Sequence, residues 1–175
     1  MLFWIFLPEG EGLSAKHLLK NSKKLIILKA FTKLYGMAGV RLGYCLCSDT
    51  ELLAWMRAAG QPWAVSSLAQ AAGIAALDET EYVAKVRALI EAQRPVLADG
   101  LRALGLRVIE GRANYLLFRA PEALGEALRR KGAVLRSCGN YPGLDASWYR
   151  TAVRTENENR QLLALLAETL PEVAQ

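Results

Sequence analysis

The sequence predicts an α/β fold, and three observations predict it. Short apolar runs of strand length alternate with longer stretches in which apolar residues recur at helical spacing. Glycines and prolines fall chiefly between these segments, where turns and helix ends need them. Of the 175 residues, 53% are apolar and 22% charged, which is enough to fill a packed core. That length holds one ordinary domain, or one small domain and part of another.

The elements follow in order. Met1-Leu2-Phe3-Trp4-Ile5-Phe6-Leu7-Pro8 opens the chain as an apolar run of strand character, too short to span a bilayer and without the basic flank of a signal peptide. A cytoplasmic protein is expected. Leu25-Ile26-Ile27-Leu28, bounded by lysines, predicts a strand buried on both faces of a sheet. A glycine-punctuated loop runs from Thr32 to Gly39, and a second strand from Arg41 to Cys47. Lys33 therefore lies in a connection at the edge of a sheet, a common place for chemistry. A helix is predicted over Glu51 to Ala59, capped by Ser48 or Asp49 and stopped at Gly60, before Gln61-Pro62-Trp63 breaks the chain. Helical spacing returns from Ser66 to Leu77. A third helix runs from Glu79 or Glu81 to Leu104, with Val83, Val86, Leu89, Ile90, Val96 and Leu97 on its apolar face and a possible kink at Pro95.

After Gly105 the texture is that of a small α/β domain. The predicted strands are Leu106 to Ile109, Asn114 to Phe118, Ala133 to Arg136 and Tyr149 to Val153. A short helix from Pro121 to Lys131 lies among them, and an amphipathic helix from about Glu156 to Leu170 ends the domain. The expected organisation is residues 1–48 as a sheet edge with the lysine loop, 49–78 as connecting helices, and 79–175 as the small domain.

Charge excludes less than it suggests. Twenty-two Lys and Arg against seventeen Asp and Glu leave a formal charge of +5, but the basic residues are scattered, so a nucleic-acid partner is not expected. A mild positive bias suits small anions such as phosphates and carboxylates. The cysteines, Cys45, Cys47 and Cys138, form neither a disulfide framework nor a zinc pattern, and no metal is expected. His17 is the single histidine and sits in a polar, helix-like segment, where a surface role is expected.

Lys33 has a distinctive setting. Thr32 places a hydroxyl beside it, Gly36 and Gly39 allow a tight backbone path near a ligand, and Arg41 offers a planar fork of donors suited to phosphate. The segment Ala30-Phe31-Thr32-Lys33-Leu34-Tyr35-Gly36-Met37-Ala38-Gly39-Val40-Arg41-Leu42-Gly43-Tyr44 resembles the cofactor-lysine segment of the class I/II aminotransferases, S-x-[ST]-K followed by a glycine-rich loop and G-[LV]-R-x-G-[YF]. The resemblance implies an aspartate-aminotransferase-like fold, with residues 1–48 belonging to a large cofactor domain. It implies pyridoxal 5'-phosphate as cofactor, Lys33 as the catalytic, cofactor-bearing lysine, and Thr32 and Arg41 as cofactor-phosphate ligands. Ala30 stands where the family often has a serine that contributes to the phosphate cup.

The resemblance continues toward the other end. Tyr149-Arg150-Thr151-Ala152-Val153-Arg154-Thr155 is similar to the family's final strand, which implies that Arg150 grips a substrate carboxylate; Arg154 reads as a solvated or structural partner. Trp63 reads as core packing. Arg136-Ser137-Cys138-Gly139-Asn140-Tyr141-Pro142-Gly143-Leu144 resembles a loop of threonine-phosphate decarboxylases of cobalamin synthesis and of histidinol-phosphate aminotransferases, with Arg136 either a substrate ligand or a strand-end charge. The implied substrate is an amino acid or a phosphorylated amine, and the full-length family is expected to be homodimeric. The aspartate that pairs with the cofactor's ring nitrogen is expected upstream of Met1, so the resemblance covers roughly the C-terminal half of a family member and this chain alone is expected to have little activity. A non-catalytic interaction module is the alternative.

Overall fold

The computed structural model describes Phe6, Gly12 and residues 14–173. Apart from Phe6, which is buried, the apolar run of strand character at Met1 to Pro8 lies outside the described residues. The chain forms two compact units, Met1–Arg87 and Ala88–Gln175, with the division falling inside a long helix.

In the first unit, Ser14 caps a 3-10 helix, Ala15–Asn21, by accepting from the backbone N–H of Lys16 at 3.3 Å. His17 is exposed on that helix. Strands β1 (Ile27–Ala30) and β2 (Gly43–Leu46) pair antiparallel, from Ile27 opposite Leu46 to Ala30 opposite Gly43, and Phe31 N–H extends the ladder to Leu42 C=O at 3.2 Å. The strand expected to be buried on both faces is not: Leu28 is 66% exposed. A continuous apolar run marks a strand that a wider sheet would enclose, whereas this sheet has two strands among the described residues and leaves one side of β1 uncovered. The second strand begins at Gly43 rather than Arg41 because Arg41 has a φ of 58°, a left-handed conformation that cannot join a ladder.

Helix α1 (Thr50–Ala59) starts where Asp49 accepts from the N–H groups of Glu51 and Leu52, both at 3.0 Å, and stops at Gly60. Helix α2 (Ser67–Asp78) is capped by Ser66, which accepts from Ala69 N–H at 3.2 Å. Its buried face consists of Ala69, Gly73 and Ala76, and the Leu42 side chain occupies the space beside Gly73 that any larger residue would fill. Trp63, read from sequence as core packing, is 96% exposed at a φ of 59°. It lies in the break between α1 and α2.

Helix α3 (Thr80–Ala103) runs through Pro95 and ends at Gly105, whose φ of 79° permits N–H bonds from Gly105 to Arg102 C=O and from Leu106 to Leu101 C=O. The second unit then builds a four-stranded antiparallel sheet in the order β3-β4-β6-β5. Its strands are β3 (Arg107–Ile109), β4 (Tyr115–Arg119), β5 (Arg136–Ser137) and β6 (Trp148–Ala152). Period-two alternation gives the sheet two faces. Leu116, Phe118 and Tyr149 point into a core shared with Leu97 and Leu101 of α3, Leu124 and Leu128 of α4 (Leu124–Arg130), and Leu166 of α5 (Glu156–Val173). Tyr115, Leu117, Arg119, Trp148, Arg150 and Ala152 take the opposite face.

The strand predicted over Ala133 to Arg136 shrinks to Arg136–Ser137. Gly132, at a φ of 85°, and Ala133 donate to Arg129 and Leu128 carbonyls at 3.0 and 2.9 Å, so these residues close α4 instead of entering the sheet. Within the second unit one buried amide ties three elements together. Asn159 donates to Gln93 Oε1 at 3.2 Å and Arg154 C=O at 2.9 Å while accepting from Arg154 N–H at 3.1 Å, tying α5 to α3 and to the end of β6. No helix among the described residues is long and apolar enough to cross a membrane.

Candidate active site

Lys33 occupies the tight turn that leaves β1. Phe31 and Leu34 on either side of it are buried to 6% and 3% exposure, and Phe31 packs against Tyr35 and Tyr44 with ring centroids 5.3 and 5.9 Å away. These apolar pegs hold the backbone, while Lys33 between them is exposed and Thr32 is half-buried. Gly36 N–H donates to Lys33 C=O at 3.3 Å, and Gly36 closes the turn at a φ of 65°. Partial burial pushes the Tyr35 hydroxyl above its ordinary range, reinforced by Tyr44 and opposed by Arg87. The Arg41 guanidinium curls back to donate to Ala38 C=O at 3.0 Å, so loop and guanidinium form one small ring of structure. At the base of the hairpin, a Cβ on Gly43 would lie 2.9 Å from Lys29 O. Lys33, Thr32 and Arg41 thus share a single connection of the first unit.

The second unit brings together Arg136 and Arg150. They are direct cross-strand partners on β5 and β6, on the sheet face opposite the core. The Arg150 guanidinium lies over the Tyr115 ring, 4.8 Å from its centroid, and that of Arg136 lies 5.9 Å from the Tyr141 centroid while donating to Asn140 Oδ1 at 3.2 Å. Among the described residues neither guanidinium meets a carboxylate. Arg150 is an inner-strand residue, half-buried between neighbouring strands, rather than a charge on the sheet's edge. Arg154 behaves differently: it pairs with Glu158 at 2.5 Å.

Sequence reasoning named Arg136 and Arg150 without their aromatic partners. Tyr115 meets Arg150 through the β4–β6 register, in which Tyr115 stands opposite Ala152. Tyr141 and Asn140 meet Arg136 by the fold of the β5–β6 connection. Near that connection, Arg119 donates to Ser147 Oγ at 2.8 Å, and the hydrogen bonds from Ser147 hold the Asp145 carboxyl below its ordinary range. The alternation of β4 was the available signal, since it puts Tyr115 on the same face as Arg150 once the strands are paired.

Comparison with known proteins places this geometry in context. A family model for aminotransferase class I and II matches residues 6–166. This chain belongs to the class I and II aminotransferase family. It is 36% identical over 173 residues to the threonine-phosphate decarboxylase of Salmonella typhimurium, covering 97% of this chain and 47% of that protein. It is 37% identical over 161 residues to the histidinol-phosphate aminotransferase of Symbiobacterium thermophilum, covering 90% of this chain and 44% of the relative. The solved histidinol-phosphate aminotransferase of Clostridium acetobutylicum superposes with a TM-score of 0.89 at 29% identity, over 98% of this chain and 53% of that structure. The chain spans about half the length of the relatives it matches. The family comprises pyridoxal-phosphate-dependent aminotransferases and decarboxylases.

The donors on the β1–β2 connection fit that cofactor's chemistry. A primary amine is available for an aldehyde, and a hydroxyl and a guanidinium are available for a phosphate. Gly36 and Gly39 leave open space beside the backbone, where an added Cβ would meet nothing within 4 Å.

Proposed function

We propose that this chain is the lysine-bearing, C-terminal half of a pyridoxal-phosphate enzyme that acts on a phosphorylated amino acid or amine, with the character of a threonine-phosphate decarboxylase. The observation that carries the reading is the pair of guanidiniums at Arg136 and Arg150, side by side in register and unneutralised. Like charges placed opposite one another across strands destabilise a sheet, and an anion bound between them would relieve that repulsion. A substrate bearing a carboxylate and a phosphate meets that demand.

In this reading Lys33 holds the cofactor through its Nζ, and Thr32 and Arg41 take the cofactor phosphate. Bound pyridoxal phosphate supplies an electron sink for the charge that develops at the substrate α-carbon. Arg150 orients the substrate carboxylate by a two-point fork, which decides which bond at the α-carbon is held for cleavage. Arg136 takes the second anionic group. Lys33 would also serve as the acid–base group for the proton at the α-carbon. The way Arg150 holds the carboxylate would decide the outcome with the cofactor bound: loss of carbon dioxide, or transamination, the histidinol-phosphate reading. A homodimer, as expected for the full-length family, belongs to the same proposal.

Titration of the full chain with pyridoxal phosphate tests this. A near-visible absorption band is expected, absent in Lys33→Ala, with borohydride fixing the cofactor mass on Lys33 in a peptide map. Equal spectra for the two proteins would sink the assignment and favour a non-catalytic interaction module. That second reading draws on the apolar surface of α2, where Leu68, Ile74 and Leu77 are 81%, 67% and 60% exposed.

A further inference from the structure

Arginines in this molecule are held by carboxylates, by backbone carbonyls, as Arg41 and Arg94 are, and by aromatic rings, as Arg107 is over Trp148. Arg102, Arg119, Arg129, Arg154 and Arg160 each meet a carboxylate. Arg136 and Arg150 instead meet aromatic faces. The difference has a chemical consequence. A carboxylate orients a guanidinium but neutralises it and competes with any incoming anion. An aromatic ring attracts the cation through its quadrupole and leaves the full charge, and the donors along the guanidinium edge, available.

We propose that Tyr115 and Tyr141, with Asn140, are positioning residues that set the guanidinium planes of Arg150 and Arg136 for the anionic groups of a phosphorylated amino acid. The proposal rests on the reading that these arginines take the substrate's anionic groups. Tyr115 stands on the rigid inner strand β4, on the same sheet face as Arg150. Tyr141 is brought over Arg136 by a loop with its own anchors. Cys138, 2% exposed, donates its N–H to Trp148 C=O at 2.8 Å. Tyr141 N–H returns to Cys138 C=O at 3.0 Å, and Leu144 N–H to Tyr141 C=O at 3.1 Å. Gly139 lets the chain double back, since a Cβ there would sit 3.1 Å from backbone atoms of Ala146. Asn140 takes one Arg136 donor and fixes rotation about the side chain's long axis, leaving the remaining donors for the ligand.

The test is calorimetric titration of the full chain with inorganic phosphate, comparing Tyr115→Phe, Tyr115→Leu, Tyr141→Phe, Tyr141→Leu, Asn140→Ala, Arg136→Ala and Arg150→Ala, each checked for folding by circular dichroism. Each Leu variant is expected to weaken binding about 2- to 5-fold, the range of an exposed to half-buried cation–π contact, while each Phe variant binds like the parent. In nitrogen-15 spectra the Arg136 Nε–H signal is expected to broaden in Tyr141→Leu and Asn140→Ala and to persist in Tyr141→Phe. Tyr141 lies on an exposed loop, so its variants keep the test open if Tyr115→Leu unfolds. If Arg136→Ala and Arg150→Ala abolish binding but the Leu variants match the parent, the positioning role is overturned and the substrate reading stands. Phe variants as weak as the Leu ones would also overturn it. If the parent does not bind phosphate, or binds it undiminished in both Arg→Ala variants, the substrate reading fails and the positioning role fails with it.

Discussion

Glu158 shows how one side chain can join a strand to a helix. Its carboxylate accepts from Arg154 and, through the other oxygen, from Thr155 N–H at 3.2 Å and Thr155 Oγ1 at 2.6 Å, while the Thr155 hydroxyl faces Glu158 N–H. Thr155-Glu156-Asn157-Glu158 is thus a capping box at the start of α5, readable from the T-x-x-E spacing. Thr155→Ala is expected to lower stability by about 1 kcal/mol in urea denaturation, the usual size of a lost N-cap. The hydrogen bonds from Arg154 and Thr155 lower the Glu158 carboxyl from 4.5 to about 2. Because the folded value is the lower one, the stabilisation is fully present above pH 4.5 and is lost as pH falls toward 2. Acid titration followed by circular dichroism should show Glu158→Gln removing that portion of the pH dependence. At this same scale the family was legible around Lys33, from Thr32, the glycines and Arg41. Tyr115 was not, because nothing local connects it to Arg150.

Among the elements, the β1–β2 hairpin matters most to the candidate site, since its connection carries Lys33, Thr32 and Arg41. Its closest approach is at Gly43, where an added Cβ would press on the Lys29 carbonyl at 2.9 Å, a backbone atom with little room to yield. Gly43→Ala is therefore expected to destabilise the first unit by roughly 1–3 kcal/mol, the cost of overpacking. Faster hydrogen exchange at Phe31 N–H, the bond that extends the ladder to Leu42, would report it. The helices were more legible than the strands. Asp49 and Ser66 cap α1 and α2 as their side chains allow, and helical spacing is satisfied within one segment of chain. Strands depend on partners. Leu25-Ile26-Ile27-Leu28 looked enclosed because it is apolar throughout, and Ala133 to Leu135 looked like a strand because it is short and apolar. The first lacks covering neighbours among the described residues, and the second is drawn into the cap of α4.

Across the whole molecule, the two units differ in how completely they bury their apolar residues. The second has a closed core in which Phe118, Leu97, Leu101, Leu124, Leu128 and Leu166 are 0% exposed. Phe118→Ala should cost about 3–5 kcal/mol, as large-to-small changes at fully buried aromatic sites do, and lower the urea midpoint of the full chain accordingly. The first unit leaves Leu28, Trp55, Trp63, Leu68, Ile74 and Leu77 each at least 60% exposed. An apolar surface of that kind is ordinarily covered by more polypeptide, consistent with a chain spanning about half the length of its relatives. The units divide at Arg87 and Ala88, within α3. A continuous helix carries no local signal of where contacts change from one unit to the next.

The sequence by itself determined the α/β class, the order of the elements, the capping residues, and the family, because these are written in local spacing and in the Lys33 motif. Only the tertiary structure decided that β1 and β2 form an open hairpin, that Trp63 stands in solvent, and that Arg136 and Arg150 are cross-strand neighbours lying over aromatic rings. The physical reason is range. Helix caps and turns are settled between residues a few positions apart, while strand partners and side-chain environments are settled by segments distant in the chain.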